Sequence, residues 1–404
     1  TMPSPASTLK LPNGVTFNQK TAKCETVKTT AGPSTRCTQV TRLPLKDLTT
    51  AQRAERNRMM TELGKRQQQR ASTAGSPAAI PAPPADCDFS GIEFDLTATL
   101  HPNRFLSCSD SVLTLTVIQI TPFPEILGNF FWEDQQWATL SSKSLTWIHG
   151  LQVLGYSELA FGDLADGISG TMFSNCFPVT SNCTETSLGL PDPQSVTVIP
   201  GGTYNFGWDE TDTGPASTMA GQIDTLNADL GVVWLTISGG QSTEFDDTGT
   251  LAVRCDTVAI RTKGGCVDQA FRPTLTYSSL TNPLVAPVAQ HIYDDQNGGL
   301  VTAWGVPPSV NSNGAALTRD MNPADIAANR ATACAGVPPS CDEYPMASTH
   351  QGAAFNSDFS AVTVPGTANS SQGGLTRAFY RGNRVIDGDP FYVLAILPNG
   401  TPSW

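Results

Sequence analysis

The chain is short of charge, short of histidine and without a long apolar run, and each shortage narrows what it can be. Asp, Glu, Lys and Arg make up only 15% of its 404 residues, against 35 Gly and 30 Pro. That balance fits an all-β architecture with many turns better than a helical protein. Four histidines and no CxxC pair argue against a zinc cluster. No stretch of about 18 apolar residues occurs, so no transmembrane helix is expected. No signal peptide is visible; the chain begins at Thr1, as a mature or trimmed protein would. The formal net charge of -12 speaks against a general nucleic-acid binder.

Cysteine, by contrast, is plentiful. Cys24, Cys37, Cys87, Cys108, Cys176, Cys183, Cys255, Cys266, Cys334 and Cys341 fall along the chain as close neighbours. An oxidising, extracellular compartment is the simplest reading, so secretion is inferred from these thiols. Spacing and turn-rich surroundings favour five local disulfides between sequential neighbours: 24–37, 87–108, 176–183, 255–266 and 334–341.

Charge is unevenly spread. Residues 1–86 carry 13 Lys/Arg against 5 Asp/Glu, 87–271 carry 5 against 22, and 272–404 carry 6 against 9. The basic N-terminal segment and the acidic middle are the candidates for contacting a surface or a protein partner. Residues 1–70 read as a hairpin closed by Cys24 and Cys37, then a helix over 46–70 with a partial apolar stripe. Residues 71–86 are a Pro/Ala-rich linker. Residues 87–271 read as a β-sandwich or barrel-like domain, with strands at 92–100, 112–120, 145–154, 195–199, 232–238 and 248–260. Its acidic clusters (Asp163/Asp166, Asp209/Glu210/Asp212, Asp246/Asp247) have the residue types of a calcium site but no EF-hand spacing. The fold class expected is mostly β, ending in an α/β domain over 272–404.

That last third holds the chemistry. A helix is expected from Asn322-Pro323, with Asn as cap, Pro at the first helical position and Asp325 in the first turn, ending by Gly336. Then comes Cys341-Asp342-Glu343-Tyr344-Pro345-Met346-Ala347-Ser348. On an extended segment the adjacent carboxylates of Asp342 and Glu343 face opposite sides. One can enter a cleft while the other pairs elsewhere, for example with an arginine. A carboxylate near a histidine can bind a divalent ion or activate water; it can equally be a salt-bridged strand end.

The segments CDEYPMAS, NSSQGG from Asn369 and RVIDGDPFYV from Arg384, with His291-Ile292-Tyr293-Asp294 before them, resemble the NucA/NucB type of secreted bacterial deoxyribonuclease, especially its larger actinobacterial relatives. The resemblance covers roughly 285–396. It implies an α/β nuclease domain that hydrolyses DNA phosphodiesters with little sequence preference, using a divalent metal such as Mg or Mn. By the same resemblance Asp342 acts at the reaction centre and Glu343 supports it or ligates the metal. Asn369, read as part of a loop, orients phosphate or metal-bound water, and His291 has a catalytic or structural role. Two positions depart from the family pattern: His350-Gln351 stands where a Glu pair is common, and Ala368 where an acid often precedes the Asn. His350 is therefore the candidate third ligand beside Asp342 and Glu343. Phosphate binding needs positive charge, and no lysine follows Lys263, so Arg319, Arg330, Arg377, Arg381 and Arg384 are the candidate DNA contacts. The competing reading is a secreted, non-catalytic binding or structural protein whose nuclease fold has degenerated.

Overall fold

Alternation of apolar and hydroxyl side chains builds the first half of the chain. In the computed structural model, Leu113, Leu115 and Val117 of the strand Leu106–Thr121 point into one buried apolar cluster. The intervening Thr114 and Thr116 face the other way and donate to Asn129 Oδ1, at 2.6 and 3.1 Å. The structure describes residues 8–10, 16–18, 22–29, 32–43, 50, 54, 82–90, 92, 97–121, 125–156, 160–178, 183–188, 194–236, 245–247, 251–260 and 263–404. Most of the expected 46–70 helix and of the 71–86 linker lies outside them. Two units divide the chain: Thr1–Thr218 with Asp224–Cys255, and Met219–Ile223 with Asp256–Trp404.

The first unit is a sandwich of two largely antiparallel sheets. One sheet has nine strands, with Leu106–Thr121, Glu125–Thr139 and Thr146–Gly155 at its centre. The N-terminal hairpin Lys23–Thr29/Gly32–Leu43 extends that sheet by pairing with Leu106–Thr121, so it is part of the sandwich and not a separate arm. The other sheet includes Gln194–Val198, Ile168–Pro178 and Ile223–Thr236. Their facing sides share one core, in which Phe130, Trp132, Leu151 and Trp208 of the larger sheet meet Ile168, Met172, Val198 and Leu230 of the smaller. Among the described residues no sheet closes into a barrel. The acids Asp209, Glu210 and Asp212 lie along one strand, Thr203–Asp212, and so do not converge on an ion. Glu210 is turned inward, 2.7 Å from His149.

Disulfides join Cys24 to Cys37, Cys87 to Cys108 and Cys334 to Cys341, as the spacing predicted. Cys183, Cys255 and Cys266 are also disulfide-bonded. The side chain of Cys176 lies outside the described residues. Among the described residues no helix is long and apolar enough to cross a membrane.

The second unit is α/β. Its three-stranded sheet sets Pro390–Ile396 between a parallel Thr274–Ser278 and an antiparallel Leu317–Thr318. Three helices accompany it: α1 (Ala286–Asp294), α2 (Pro323–Ala333) and α3 (Gly366–Gly382). Leu275, Tyr277, Val288, Ile292, Phe391 and Val393 form the centre of the core. Asn322 caps α2 through Ala324 N–H at 3.0 Å, and Pro323 opens it. A second, two-stranded sheet pairs Cys341–Tyr344 with Ser360–Thr363.

Helix α3 corrects the loop expected around Asn369. Gly373 and Gly374 lower helix propensity by about 1 kcal/mol each relative to Ala, which made this stretch read as a loop. Ala368, Gln372, Leu375 and Phe379 nevertheless recur at helical spacing, and Ala368, Leu375 and Phe379 pack on the core. Burial of that stripe outweighs the glycine penalty.

Candidate active site

The strand Cys341–Tyr344 sends its two acids to opposite sides, as a period of two requires. Its position is fixed from both ends. The Cys334–Cys341 disulfide ties it to the end of α2. Asn369 of α3 donates from Nδ2 to Ser340 Oγ and to the Cys341 carbonyl, both at 2.7 Å. Asn369 thus holds the strand through its amide hydrogens, and it also lines the cavity beside Glu343.

Asp342 faces inward and is 1% exposed. His291 of α1, itself 7% exposed, lies between two carboxylates: its Nδ1 is 2.8 Å from Asp342 Oδ2 and its Nε2 is 3.1 Å from Asp295 Oδ2. Ser360 Oγ lies 2.6 Å from the same Nε2. Burial alone would pull the imidazole pKa down, but hydrogen bonds to Asp295 and Asp342, and their charges, outweigh it and lift His291 to about 9. The ring is therefore an imidazolium at neutral pH with both nitrogens engaged, which suits it to holding the strand and not to taking a proton.

Glu343 faces the other way, into a cavity of about 830 Å³. Burial raises its pKa, offset in part by Arg330, whose Nε is 3.8 Å from Glu343 Oε1; the Asp342 charge raises it further. Arg319, Arg330, Arg377 and Arg381 all line this cavity. Arg377 and Arg381 stand one turn apart on α3 and are exposed, as is Arg330 on α2. Arg319 is half-buried, with its guanidinium 4.4 Å over the Tyr380 ring, and burial lowers its pKa. Four of the six cations in 272–404 thus meet at one cleft although the region as a whole is acidic.

The fifth expected contact, Arg384, is corrected by the structure. It is fully buried and ion-paired with Asp256, Nη2 to Oδ1 2.7 Å and Nε to Oδ2 3.1 Å. It also holds a left-handed backbone at φ 48°. A guanidinium sealed in this way has no hydrogen-bonding edge left for DNA, and its role is structural.

The metal set expected from the sequence does not assemble either. Asp342 turns to His291, Glu343 to the cavity and Arg330, and His350 to Asp320 and Asp387. Cys334 and Cys341 sit near Glu343, but their sulfurs are bonded to each other and cannot serve as thiolates. The two departures from the family pattern have local reasons. Gln351 is clamped to Thr318, accepting from its N–H and donating to its hydroxyl, both at 2.9 Å. Ala368 is 1% exposed within the core, where a carboxylate would be stranded.

Several contributors were not singled out from the sequence. Asp295 lies one helical turn after His291, a spacing that could have flagged it. Asn329, fully buried on α2, holds the segment after the DEYPMA motif: it donates to Ala347 O and accepts from Ala354 N–H, both at 3.0 Å. Asp320 and Asp387 gather around His350 through backbone pairing that no local pattern reveals.

Residues 309–394 match the family model described as Deoxyribonuclease NucA/NucB. The match spans α2, the Asp342–Glu343 strand, α3 and most of the final strand, and it begins after His291. No curated protein and no solved structure matches the chain.

Proposed function

We propose that the C-terminal unit hydrolyses DNA phosphodiester bonds as an endonuclease with little sequence preference, in an extracellular setting. The observation that carries this is the convergence of Arg319, Arg330, Arg377 and Arg381 on one cavity with Glu343 in its wall. The family match at 309–394 supplies the substrate class, and the disulfides support the extracellular setting.

In this reading the guanidiniums bind the phosphate and neutralise the charge that grows on its non-bridging oxygens during in-line attack. Glu343, whose pKa is raised by burial, takes the proton of the attacking water. The water oxygen bonds to phosphorus, the bond to the 3′-oxygen breaks, and the leaving oxygen takes a proton from solvent. The His291–Asp342–Asp295 array holds the strand that presents Glu343. The resemblance also implies a divalent ion. Asp342, Glu343 and His350 do not converge to hold one.

A second reading, non-catalytic binding of DNA or another polyanion in the same cavity, is favoured by Gln351 and Ala368. Both are neutral where the family is often acidic, and Gln351 is fully engaged with Thr318. Incubating the purified, disulfide-intact protein with supercoiled plasmid and Mg or Mn separates the two. Nicked and linear products support hydrolysis. Retention of plasmid without cleavage supports binding alone.

A further inference from the structure

Asp320 lines the cavity, yet its side chain is turned toward two residues that do not, His350 and Asp387. We infer that Asp320, His350 and Asp387 form a binding site for one divalent transition-metal ion, which shares only His350 with the set expected around Asp342 and Glu343.

Three observations carry this. The first is convergence: one nitrogen of His350 and one oxygen from each aspartate lie within 4.8 Å of one another. Ligands sharing an ion at about 2.0–2.2 Å sit roughly 3–4 Å apart. The nearest approaches are 3.3 Å from His350 Nε2 to Asp387 Oδ1 and 3.9 Å from His350 Nδ1 to Asp320 Oδ2; an ion takes only one of the two ring nitrogens, so the imidazole must turn to present it to both carboxylates. His350 and Asp387 are exposed, so small rotations of either close the remaining gap.

The second is an orphaned acceptor. Asp320 is 1% exposed; its Oδ1 accepts from Asn322 N–H at 2.8 Å, but its Oδ2 is buried with no hydrogen-bond partner. That oxygen is the one aimed at His350. A buried carboxylate oxygen left without a donor costs free energy, and a bound cation removes the cost.

The third is a stiff frame. Asp320 N–H donates to Ser348 O at 2.9 Å and His350 N–H to Thr318 O at 3.0 Å. Gly388 N–H donates to Arg319 O at 2.8 Å, and Met321 N–H to Asp387 Oδ1 at 2.9 Å. Gly388 sits at φ +78°, the left-handed turn that presents Asp387. The three ligands are therefore held by three cross-linked backbone segments before any ion arrives.

The donor set decides the class of ion. One imidazole and two carboxylates suit Mn2+, Zn2+ and their neighbours, whereas Mg2+ and Ca2+ prefer oxygen alone. Two aspartates beside a neutral imidazole carry two negative charges, which match a dication. Three protein ligands leave coordination positions for water.

The test uses the metal-free, full-length, disulfide-intact protein titrated with Mn2+, followed by calorimetry and by the electron paramagnetic resonance signal of the free ion. One site is expected. His350→Ala and Asp387→Asn, both at exposed positions, each weaken it at least tenfold, while Glu343→Gln leaves stoichiometry and Kd unchanged. The inference does not rest on DNA cleavage, and these readouts need no substrate. It is overturned if the folded protein binds no Mn2+, if both exposed variants bind it as tightly as wild type, or if Glu343→Gln abolishes binding.

Discussion

His291 and Asp342, 51 positions apart in sequence, meet across 2.8 Å in a buried ion pair that a second carboxylate, Asp295, completes from the other edge of the ring. The pair has a consequence for stability. In the folded state His291 titrates at about 9, whereas an unfolded histidine titrates near 6.5. The stabilisation is fully present below pH 6.5 and is lost as pH rises through 9. Denaturant melts at pH 6 and pH 9.5 should therefore differ by on the order of 3 kcal/mol in the C-terminal unit. His291→Gln should flatten that difference; an unchanged pH dependence in the variant would show that the ring is not the titrating group.

Arg384 and Asp256 make a different statement about charge. Both are fully buried, and removing one leaves the other unpaired. Arg384→Ala is expected to cost about 3–5 kcal/mol, read as a lower midpoint in denaturant. DNA binding per folded molecule should be unchanged, and Asp256→Ala added to it should restore part of the loss. A normal midpoint with weakened DNA binding would return Arg384 to the role the sequence suggested.

Arg377 and Arg381 should behave in the opposite way. They are exposed and share one face of α3, so replacing either by Ala should leave the melt unchanged. Each loss should weaken DNA binding at low salt and reduce the slope of log K against log salt by about 1. Arg272→Ala, at a cation that does not line the cavity, is the control. Equal slopes for all three variants would mean that the cavity does not hold the phosphates.

Much of this was legible in the chain itself. The alternation at 113–117 and the Asn322-Pro323 cap specify their elements locally, because strand period and helix capping act over a few residues. Three of the sequential cysteine pairs were likewise fixed by short, turn-rich loops. What was hidden depends on distance in sequence. Asp342 and Glu343 were recognisable as a split pair, but which of them enters the cleft is decided by His291 on α1 and Asp295 just after it. Arg384 looked like another surface cation until Asp256, 128 positions away, took it inside. The helix around Asn369 was masked by its two glycines, whose local preference yields to a stripe that only the core can reward.

The arrangement places Glu343, and not Asp342, in the wall of the arginine-lined cavity. Plasmid cleavage by Glu343→Gln and Asp342→Asn, each normalised to its folded fraction in the presence of Mn2+, tests this most directly. Glu343→Gln should keep wild-type stability and lose at least about a hundredfold in rate. Its loss should remove a rise of wild-type rate with pH whose midpoint lies above the ordinary carboxylate range, because burial raises Glu343. Asp342→Asn should instead be less stable, through the broken pair with His291, and retain the higher rate per folded molecule. Full activity in Glu343→Gln, or a fully stable Asp342→Asn that no longer cuts DNA, would contradict the account.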